Sequence, residues 1–248
     1  MAGTLQRKQD EGNSIGRLLQ SDSMQAQLKL ALPRTCTPER LARLVLTQIR
    51  TTPKLLDCTR ESLLGAIMQV AQLGLEPGVQ GQAWLIPYGK ECTLVVGYRG
   101  LAQLAWRSGL VKSINARAVY AKDEYDYDFG TDEIHHRAHS DPTSDALTHA
   151  YTIIHTTNGG RLWDCMSRVE LDAIRKRARA GNNGPWVTDF SEMCKKTVLR
   201  RLFKTAPMSA DLQTAMTLED AADAGHSQGL DFEIPIDVEP TPEPDEKK

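Results

Sequence analysis

The chain has 248 residues, of which 40% are hydrophobic, and a formal net charge of −2 at pH 7. A chain of this length can form one substantial core. The apolar runs in the sequence are shorter than the roughly 18 residues that a membrane span requires. The N-terminus is too polar for a secretory signal peptide, and the five cysteines form no CxxC pair. We therefore expect a soluble, cytoplasmic protein with reduced thiols.

The charge is distributed unevenly along the chain. From Asp211 onward there are eleven acidic and two basic residues, a net charge of −9, which leaves +7 for residues 1–210. A basic body with an acidic tail is one pattern of nucleic-acid-binding proteins. We predict a segment at 1–30 that is either flexible or becomes ordered only on oligomerisation, a core at 31–207, and an acidic, largely disordered tail at 208–248.

The first half of the core reads as helices followed by a hairpin. Thr37 is placed to cap a helix that has Pro38 in its first turn, and Gly74 can end a second helix over 60–73 in a left-handed conformation. The runs AWLIP and CTLVVG, joined by YGKE, predict a β-hairpin. A short helix ending at Gly109 follows.

Strands dominate the next part of the core. A β-like run covers 111–122, DEYDYDF alternates as an amphipathic strand should, and 135–145 reads as polar loop. LTHAYTIIHT and RLWDCM form a second hairpin, after which Ser167 and Glu170 form a capping box that opens a helix. This order predicts an α+β fold in which antiparallel hairpins pack with helices in a single core domain.

A basic amphipathic helix is expected between Asp189 and Lys204. Asp189 is its candidate N-cap, and its apolar face consists of Phe190, Met193, Cys194, Val198, Leu199, Leu202 and Phe203. Lys196, Arg200 and Lys204 stack along one edge, with Lys195 and Arg201 beside them. Such an edge is either solvated surface or a site whose counter-charge is a polyanion.

A second basic cluster lies at the end of the preceding helix. It consists of Arg175, Lys176, Arg177 and Arg179. Cations are favourable at a helix C-terminus, but residues 161–204 carry eleven basic and five acidic residues, +6, which favours phosphate binding. Among the aromatic residues, Trp84 and Trp106 are expected in the core, whereas Trp186 suits either the core or base stacking.

An enzymatic alternative depends on acidic and histidine residues. Carboxylates and imidazoles near the middle of the chain could hold Mg²⁺ or Mn²⁺ for phosphodiester cleavage. They are Asp123, Glu124, Asp126, Asp128, His135, His136, His139 and Asp141. The alternation of the first four is equally explained by solvated carboxylates on a strand. No GxxxxGK[ST] phosphate loop occurs, so ATP-driven strand exchange is not expected, and we predict no cofactor.

Four stretches resemble the RecT family of phage single-strand annealing recombinases and occur in the family's order. They are LLGAIMQVAQLGLEP, GQAWLIPYGKECTLVVGYRGLAQLAWRSG, DEYDYDFG and PWVTDFSEMCKKTVLRRLFK. The resemblance implies a phage or prophage protein in a bacterial host that is not an enzyme. It would bind single-stranded DNA, oligomerise as rings or helical filaments, anneal complementary strands through a duplex intermediate without ATP, and work beside a 5′→3′ exonuclease.

The resemblance also suggests which residues contact DNA. Matching positions are Lys195, Lys196, Arg200 and Arg201, together with Arg99, then Tyr88, Lys90, Arg175, Lys176, Arg177 and Arg179. Two further candidates are Lys204, which belongs to the basic edge of the helix, and Trp186, which lies in the loop before that helix. The acidic tail could compete with DNA for the groove or dock a partner such as the host single-strand-binding protein. A metal-dependent nuclease and a plain single-strand-binding protein remain alternatives.

Overall fold

The computed structural model describes residues 12, 14–34, 36–140, 146–230 and 232. Helices and antiparallel strands make up this part of the chain, which confirms the α+β class. These residues fall into two compact units: the described residues of Met1–Val79, Ala83–Leu94 and Gly229–Lys248 form unit 1, and those of Gln80–Gln82 and Val95–Gln228 form unit 2. Asp141 and most of the C-terminal tail, 233–248, lie outside the described residues.

Unit 1 is mainly helical. Its elements are α1 (residues 14–20), α2 (Asp22–Ala31), α3 (Pro38–Thr51), a 3₁₀ turn (Pro53–Asp57), α4 (Arg60–Leu73), β1 (Ala83–Tyr88) and most of β2 (Glu91–Val96). The described part of 1–30 differs from the flexible segment expected there. Leu19, Met24 and Leu28 are at most 1% exposed, so α1 and α2 bury apolar side chains within this chain.

Short-range signals set the element ends of unit 1 as predicted. The Thr37 side chain caps α3 by accepting a hydrogen bond from the backbone of Arg40 at 3.3 Å. Gly74 ends α4 at φ 60°, ψ 37°, the left-handed conformation that glycine adopts without strain. Gly89 has φ 64° in the tight turn between β1 and β2.

Unit 2 contains a three-stranded sheet, a hairpin and helices. Its elements are α5 (Tyr98–Arg107), β3 (Val111–Tyr120), β4 (Glu124–Asp128), β5 (Glu133–Arg137), β6 (Leu147–Thr156), β7 (Arg161–Ser167), α6 (Arg168–Arg177), α7 (Pro185–Thr188), α8 (Phe190–Phe203) and α9 (Ala210–Ala224). The sheet has the order β3-β6-β7, and β4 pairs with β5. The expected loop 135–145 therefore begins as a strand, because β5 pairs with β4 from Glu124↔Arg137 to Asp128↔Glu133.

The sheet of unit 2 is covered on both faces. Ala150 and Met166 pack with Val198 of α8 in one apolar cluster. Their chain neighbours Tyr151 and Cys165 point the opposite way, as the two-residue period of a strand requires, and pack with side chains of the β4–β5 hairpin. The basic helix is thus seated on the sheet by its apolar face.

Helix α9 changes the boundary expected for the acidic tail. Residues 210–224 form about four turns of helix, capped by Ser209, at the start of the segment 208–248 that was expected to be largely disordered. Buried along α9 are Leu212, Ala215, Met216, Leu218, Glu219 and Ala222. The core of unit 2 therefore extends beyond residue 207.

Candidate nucleic-acid interface

Helix α8 has the amphipathic character predicted for it. Its apolar face is buried, with Val198, Leu199 and Phe203 showing no exposed surface. Asp189 occupies the N-cap position, but its side chain makes no capping hydrogen bond and instead accepts one from the Thr188 hydroxyl. The packing of α8 on the sheet fixes where its basic edge lies.

Carboxylates of α9 line the basic edge of α8. Lys196 forms an ion pair with Glu219, and Arg200 forms ion pairs with Asp220 and Asp223. The Lys204 ammonium lies 3.5 Å from Asp220. These carboxylates belong to the same unit, so the counter-charge that the sequence attributed to a polyanion is supplied within the chain.

Burial separates these cations into two groups. Lys196 is 8% exposed and the side chain of Arg200 14% exposed, whereas the Lys204 side chain is 60% exposed. Burial lowers the pKa of Arg200, but the negative charges of Asp223 and Glu219 outweigh it and raise the pKa above its ordinary value. Only Lys204 of this edge therefore presents most of its side chain to solvent.

Arg201 and Lys195 also have partners within unit 2. The Arg201 guanidinium donates to both oxygens of Asp164, at 2.5 and 2.6 Å, and reaches Glu170 at 3.1 Å. Lys195 pairs with Glu192 one turn away at 2.5 Å. Arg201 thereby ties α8 to β7 and to the start of α6, where the capping box of Ser167 and Glu170 is present as predicted.

The cluster at the end of α6 is more open. Arg175 donates to the carbonyl of Gly181 at 2.8 Å and lies over the ring of Phe190, 5.5 Å from its centroid. Lys176 and Arg177 are exposed, and neither takes part in an ion pair among the described residues. These two cations lie in the last turn of α6, where the helix dipole adds negative potential that stabilises them without neutralising them fully.

A close backbone approach shapes the loop after α6. A Cβ atom on Gly181 would lie 1.9 Å from the carbonyl oxygen of Arg175, a distance that no side chain allows. Glycine at 181 therefore lets the loop fold back on the helix end. Arg179 is exposed beside it, and its backbone N–H donates to the backbone carbonyl of Asp223 in α9 at 3.1 Å.

The aromatic residues are placed differently from what the sequence suggested. Trp84 and Trp106 are 39% and 51% exposed, so their assignment to the core was wrong. Trp186 is 3% exposed and packs with Leu171 and Val198, which leaves no free ring face for a base. Of the two alternatives that the sequence left open for Trp186, the core is the one observed, because a four-residue helix, α7, turns its side chain inward.

The remaining predicted contacts lie on helix α5 and on the β1–β2 hairpin. Arg99 of α5 is exposed, and one guanidinium nitrogen lies 3.4 Å from the carbonyl oxygen of Gln80. In unit 1, Lys90 is exposed at the hairpin turn and its carbonyl accepts a hydrogen bond from Thr59 at 2.7 Å. Tyr88 is half-buried.

Among the acidic and histidine residues considered for catalysis, Asp123 is the centre of a small hydrogen-bonded group. Asp123 accepts from the backbone of Tyr120 and His139, each at 2.8 Å, and from His136 at 3.1 Å. Burial raises the pKa of Asp123, but these donors outweigh it and hold the pKa below its ordinary value. Glu124, Asp126 and Asp128 are exposed along β4, and the described ranges contain no His, Cys, Asp and Glu group able to hold a metal.

Comparison with known proteins identifies the class of this molecule. The chain matches the model of the RecT family over residues 39–231 and belongs to that family. It is therefore a DNA-binding recombination protein of the single-strand annealing type. In the described part of the chain, no helix is long and apolar enough to cross a membrane.

Two relatives extend the match to most of the chain. Protein RecT of Escherichia coli (strain K12) is 41% identical over 221 residues, covering 85% of this chain and 81% of that protein. The uncharacterized protein YqaK of Bacillus subtilis (strain 168) is 27% identical over 214 residues, covering 86% of this chain and 74% of that protein. Both alignments span the greater part of each protein, so the similarity is not confined to one motif.

Proposed function

We propose that this protein binds single-stranded DNA and pairs complementary strands without ATP. The observation that carries the proposal is the RecT-family match over 39–231, supported by 41% identity to Protein RecT. Cations on the protein would contact phosphates, whose condensed counterions are released on binding, so affinity falls with salt. Phosphate contacts carry no sequence information, and the base edges stay free to sample register with a second strand.

The ion pairs on α8 refine which residues this proposal assigns to DNA. Lys196, Arg200 and Arg201 would act as structural ion-pair partners, because carboxylates of unit 2 already engage them, and removing Lys196 would leave the buried Glu219 without its counter-charge. Direct contacts would come from exposed cations. On unit 2 these are Arg99, Lys176, Arg177, Arg179 and Lys204, with Lys195 at the margin, and on unit 1 Lys90 with Tyr88 beside it.

The proposal includes an assembly and partners. Adjacent copies would extend one strand along a ring or helical filament, so that a second strand meets several exposed bases at once. A 5′→3′ exonuclease in the bacterial cytoplasm would generate the single strand. Residues 233–248, with six acidic residues and two lysines, would contact the host single-strand-binding protein or compete for the DNA site.

The first experiment compares annealing of two labelled complementary oligonucleotides by fluorescence transfer, without ATP. The test variant is Lys176→Ala/Arg177→Ala, and the matched control is Arg43→Ala/Arg50→Ala, which removes two exposed cations from α3. Fast annealing by the wild type and the control, with slow annealing by the test variant, supports both the function and the site. For single-stranded DNA, each lost phosphate contact lowers the slope of log affinity against log salt by about 0.7.

Other outcomes separate the alternatives. Tight binding without annealing by the wild type would reduce the protein to a single-strand-binding protein. A denaturing gel run with and without Mg²⁺ would show shortened strands if it were a nuclease. Unchanged annealing by Lys176→Ala/Arg177→Ala would remove the α6 cluster from the site but leave the function standing.

A further inference from the structure

Helix α5 presents a face that the core of unit 2 does not cover. Arg99, Gln103 and Trp106 follow one another at intervals of four and three residues, so they lie on one side of the helix. The opposite side is buried, with Leu101, Leu104 and Ala105 at most 1% exposed. The indole of Trp106 is the largest side chain on the open face and is 51% exposed.

This open face combines an aromatic ring with an uncompensated positive charge. Among the described residues Arg99 has no carboxylate partner, and its side chain makes one hydrogen bond, to the carbonyl oxygen of Gln80 at 3.4 Å. Arg107, the other arginine of α5, is neutralised by Asp211 at 2.7 Å. Arg99 and Trp106 are seven positions apart, a rise of about 10 Å along the helix, so a strand lying along this face could meet both side chains with different nucleotides.

We infer that Trp106 stacks on a base of single-stranded DNA while Arg99 contacts a phosphate of the same strand. This inference rests on the proposed function and adds a base-stacking position to it. An aromatic face beside a cation suits unpaired nucleic acid, because every base has a flat π-surface and every nucleotide a charge. The contact is therefore tolerant of sequence, as a strand-annealing protein requires.

A second copy of the chain is the competing occupant, since tryptophan and arginine are also enriched in protein interfaces. Charge complementarity favours DNA. The open face carries Arg99 and the neutral Gln103 but no carboxylate, so a face of this kind attracts a polyanion. Oligomerisation through it would need an acidic surface on the neighbouring copy.

The experiment uses the full chain with two probes of equal length, an oligothymidylate and a strand of abasic deoxyribose phosphates. Both carry the same charge, but only the first has bases to stack. The variants are Trp106→Ala, Trp106→Phe and Arg99→Ala. Val169→Ala is the matched control, because Val169 is 78% exposed on another helix of the same unit.

Trp106→Ala is expected to weaken oligothymidylate binding by about 5- to 150-fold and to leave binding of the abasic strand unchanged. Trp106→Phe should keep most of the affinity, since phenylalanine also stacks. Arg99→Ala should lower the affinity for both probes by the same factor. Binding of oligothymidylate should quench the fluorescence of exposed tryptophans, because Trp163 and Trp186 are buried. Part of that quenching should therefore be lost in Trp106→Phe.

Two outcomes would overturn the inference alone. One is that wild type and Trp106→Ala bind oligothymidylate equally well. The other is that Trp106→Ala alters self-association in light scattering while affinity is unchanged, which would place a second copy on this face. If the wild type binds neither probe, the proposed function itself fails, so the two failures are distinguishable.

Discussion

Lys196 of α8 and Glu219 of α9 form an ion pair inside unit 2, with the Glu219 carboxylate only 1% exposed. The other oxygen of Glu219 accepts a hydrogen bond from the backbone N–H of Val96 at 2.5 Å. One carboxylate thus links α9, α8 and the end of β2. Because of this pair, the Lys196 end of the basic edge of α8 lies in the interior of unit 2.

Lys196→Ala should destabilise the protein by about 3–5 kcal/mol, because it removes the counter-charge of a buried carboxylate. The free energy of unfolding from urea titration measures the loss. Replacing both partners, as in Lys196→Met/Glu219→Leu, should recover part of it, since burying neither charge avoids the desolvation cost, although the Val96 N–H then loses its acceptor.

The matched DNA measurement distinguishes structure from binding. The folded fraction of Lys196→Met/Glu219→Leu should bind single-stranded DNA with an affinity and salt dependence close to those of the wild type. If Lys196→Ala keeps wild-type stability and loses DNA affinity, Lys196 is a phosphate contact and the ion pair is incidental.

The contrast between α8 and its surroundings explains what the sequence could predict. The caps at Thr37 and Gly74 and the hairpin turn in YGKE depend on a few neighbouring residues, and all three were predicted correctly. The pairing of Lys196 with Glu219 joins residues 23 positions apart and depends on how α9 packs, which no local pattern records.

The tryptophans show the same limit. A large apolar ring favours burial. That preference predicted the core for Trp106, which is exposed, and offered the core as one of two alternatives for Trp186, which is buried. Whether an amphipathic helix leaves a given ring outside depends on which of its faces the sheet covers. The sequence of α9 did contain a usable signal. Leu212, Ala215 and Met216 recur at helical spacing after Ser209, a pattern that predicts a helix with a buried face beyond residue 207.

Trp186→Ala should cost about 3–5 kcal/mol of stability, because it opens a cavity among the side chains of the α8-facing cluster. Trp186→Phe should cost less, since the phenyl ring refills part of that space. Val187→Ala serves as the control, because Val187 is 55% exposed next in the chain. Thermal and urea unfolding give the stabilities.

The DNA affinity of folded Trp186→Ala should match that of the wild type. A variant that unfolds like the wild type but binds single-stranded DNA weakly would restore the base-stacking role considered from the sequence. Measuring both quantities on the same preparation separates these readings.

Truncation of the acidic tail should lower the stability of the protein at one cut point and leave it unchanged at another. Deleting 209–248 removes α9 and with it the partners of Lys196 and Arg200, so we expect a loss of more than about 3 kcal/mol of stability. Deleting 233–248 keeps α9 and should leave the unfolding midpoint close to that of the wild type. Differential scanning calorimetry on the two truncated chains makes the comparison.

The shorter deletion also tests the role of the tail in DNA binding. It removes six acidic residues and two lysines, a net charge of −4. If the tail competes for the DNA site, single-stranded DNA affinity should rise at low salt, and the gain should shrink as salt screens the charges. Equal affinities at every salt concentration would eliminate competition and leave partner docking as the remaining role.

Asp123 should make stability depend on pH in the acid range. Its pKa is held below the unfolded value of about 3.9 by hydrogen bonds from His139, Tyr120 and His136. A carboxylate with a depressed pKa contributes stability that is fully present above the unfolded pKa and is lost as pH falls through the folded pKa. The wild type should therefore lose stability from about pH 5 downward.

Asp123→Asn should lower the free energy of unfolding by about 1.5–3 kcal/mol at neutral pH, because an amide cannot replace the charge-assisted hydrogen bonds. The difference between variant and wild type should shrink as pH falls, since protonation removes the same charge from the wild type. Asp126→Asn is the matched control, because Asp126 is exposed on β4 and should change little. Urea titrations at a series of pH values give the slopes, and parallel curves for wild type and Asp123→Asn would contradict the assignment.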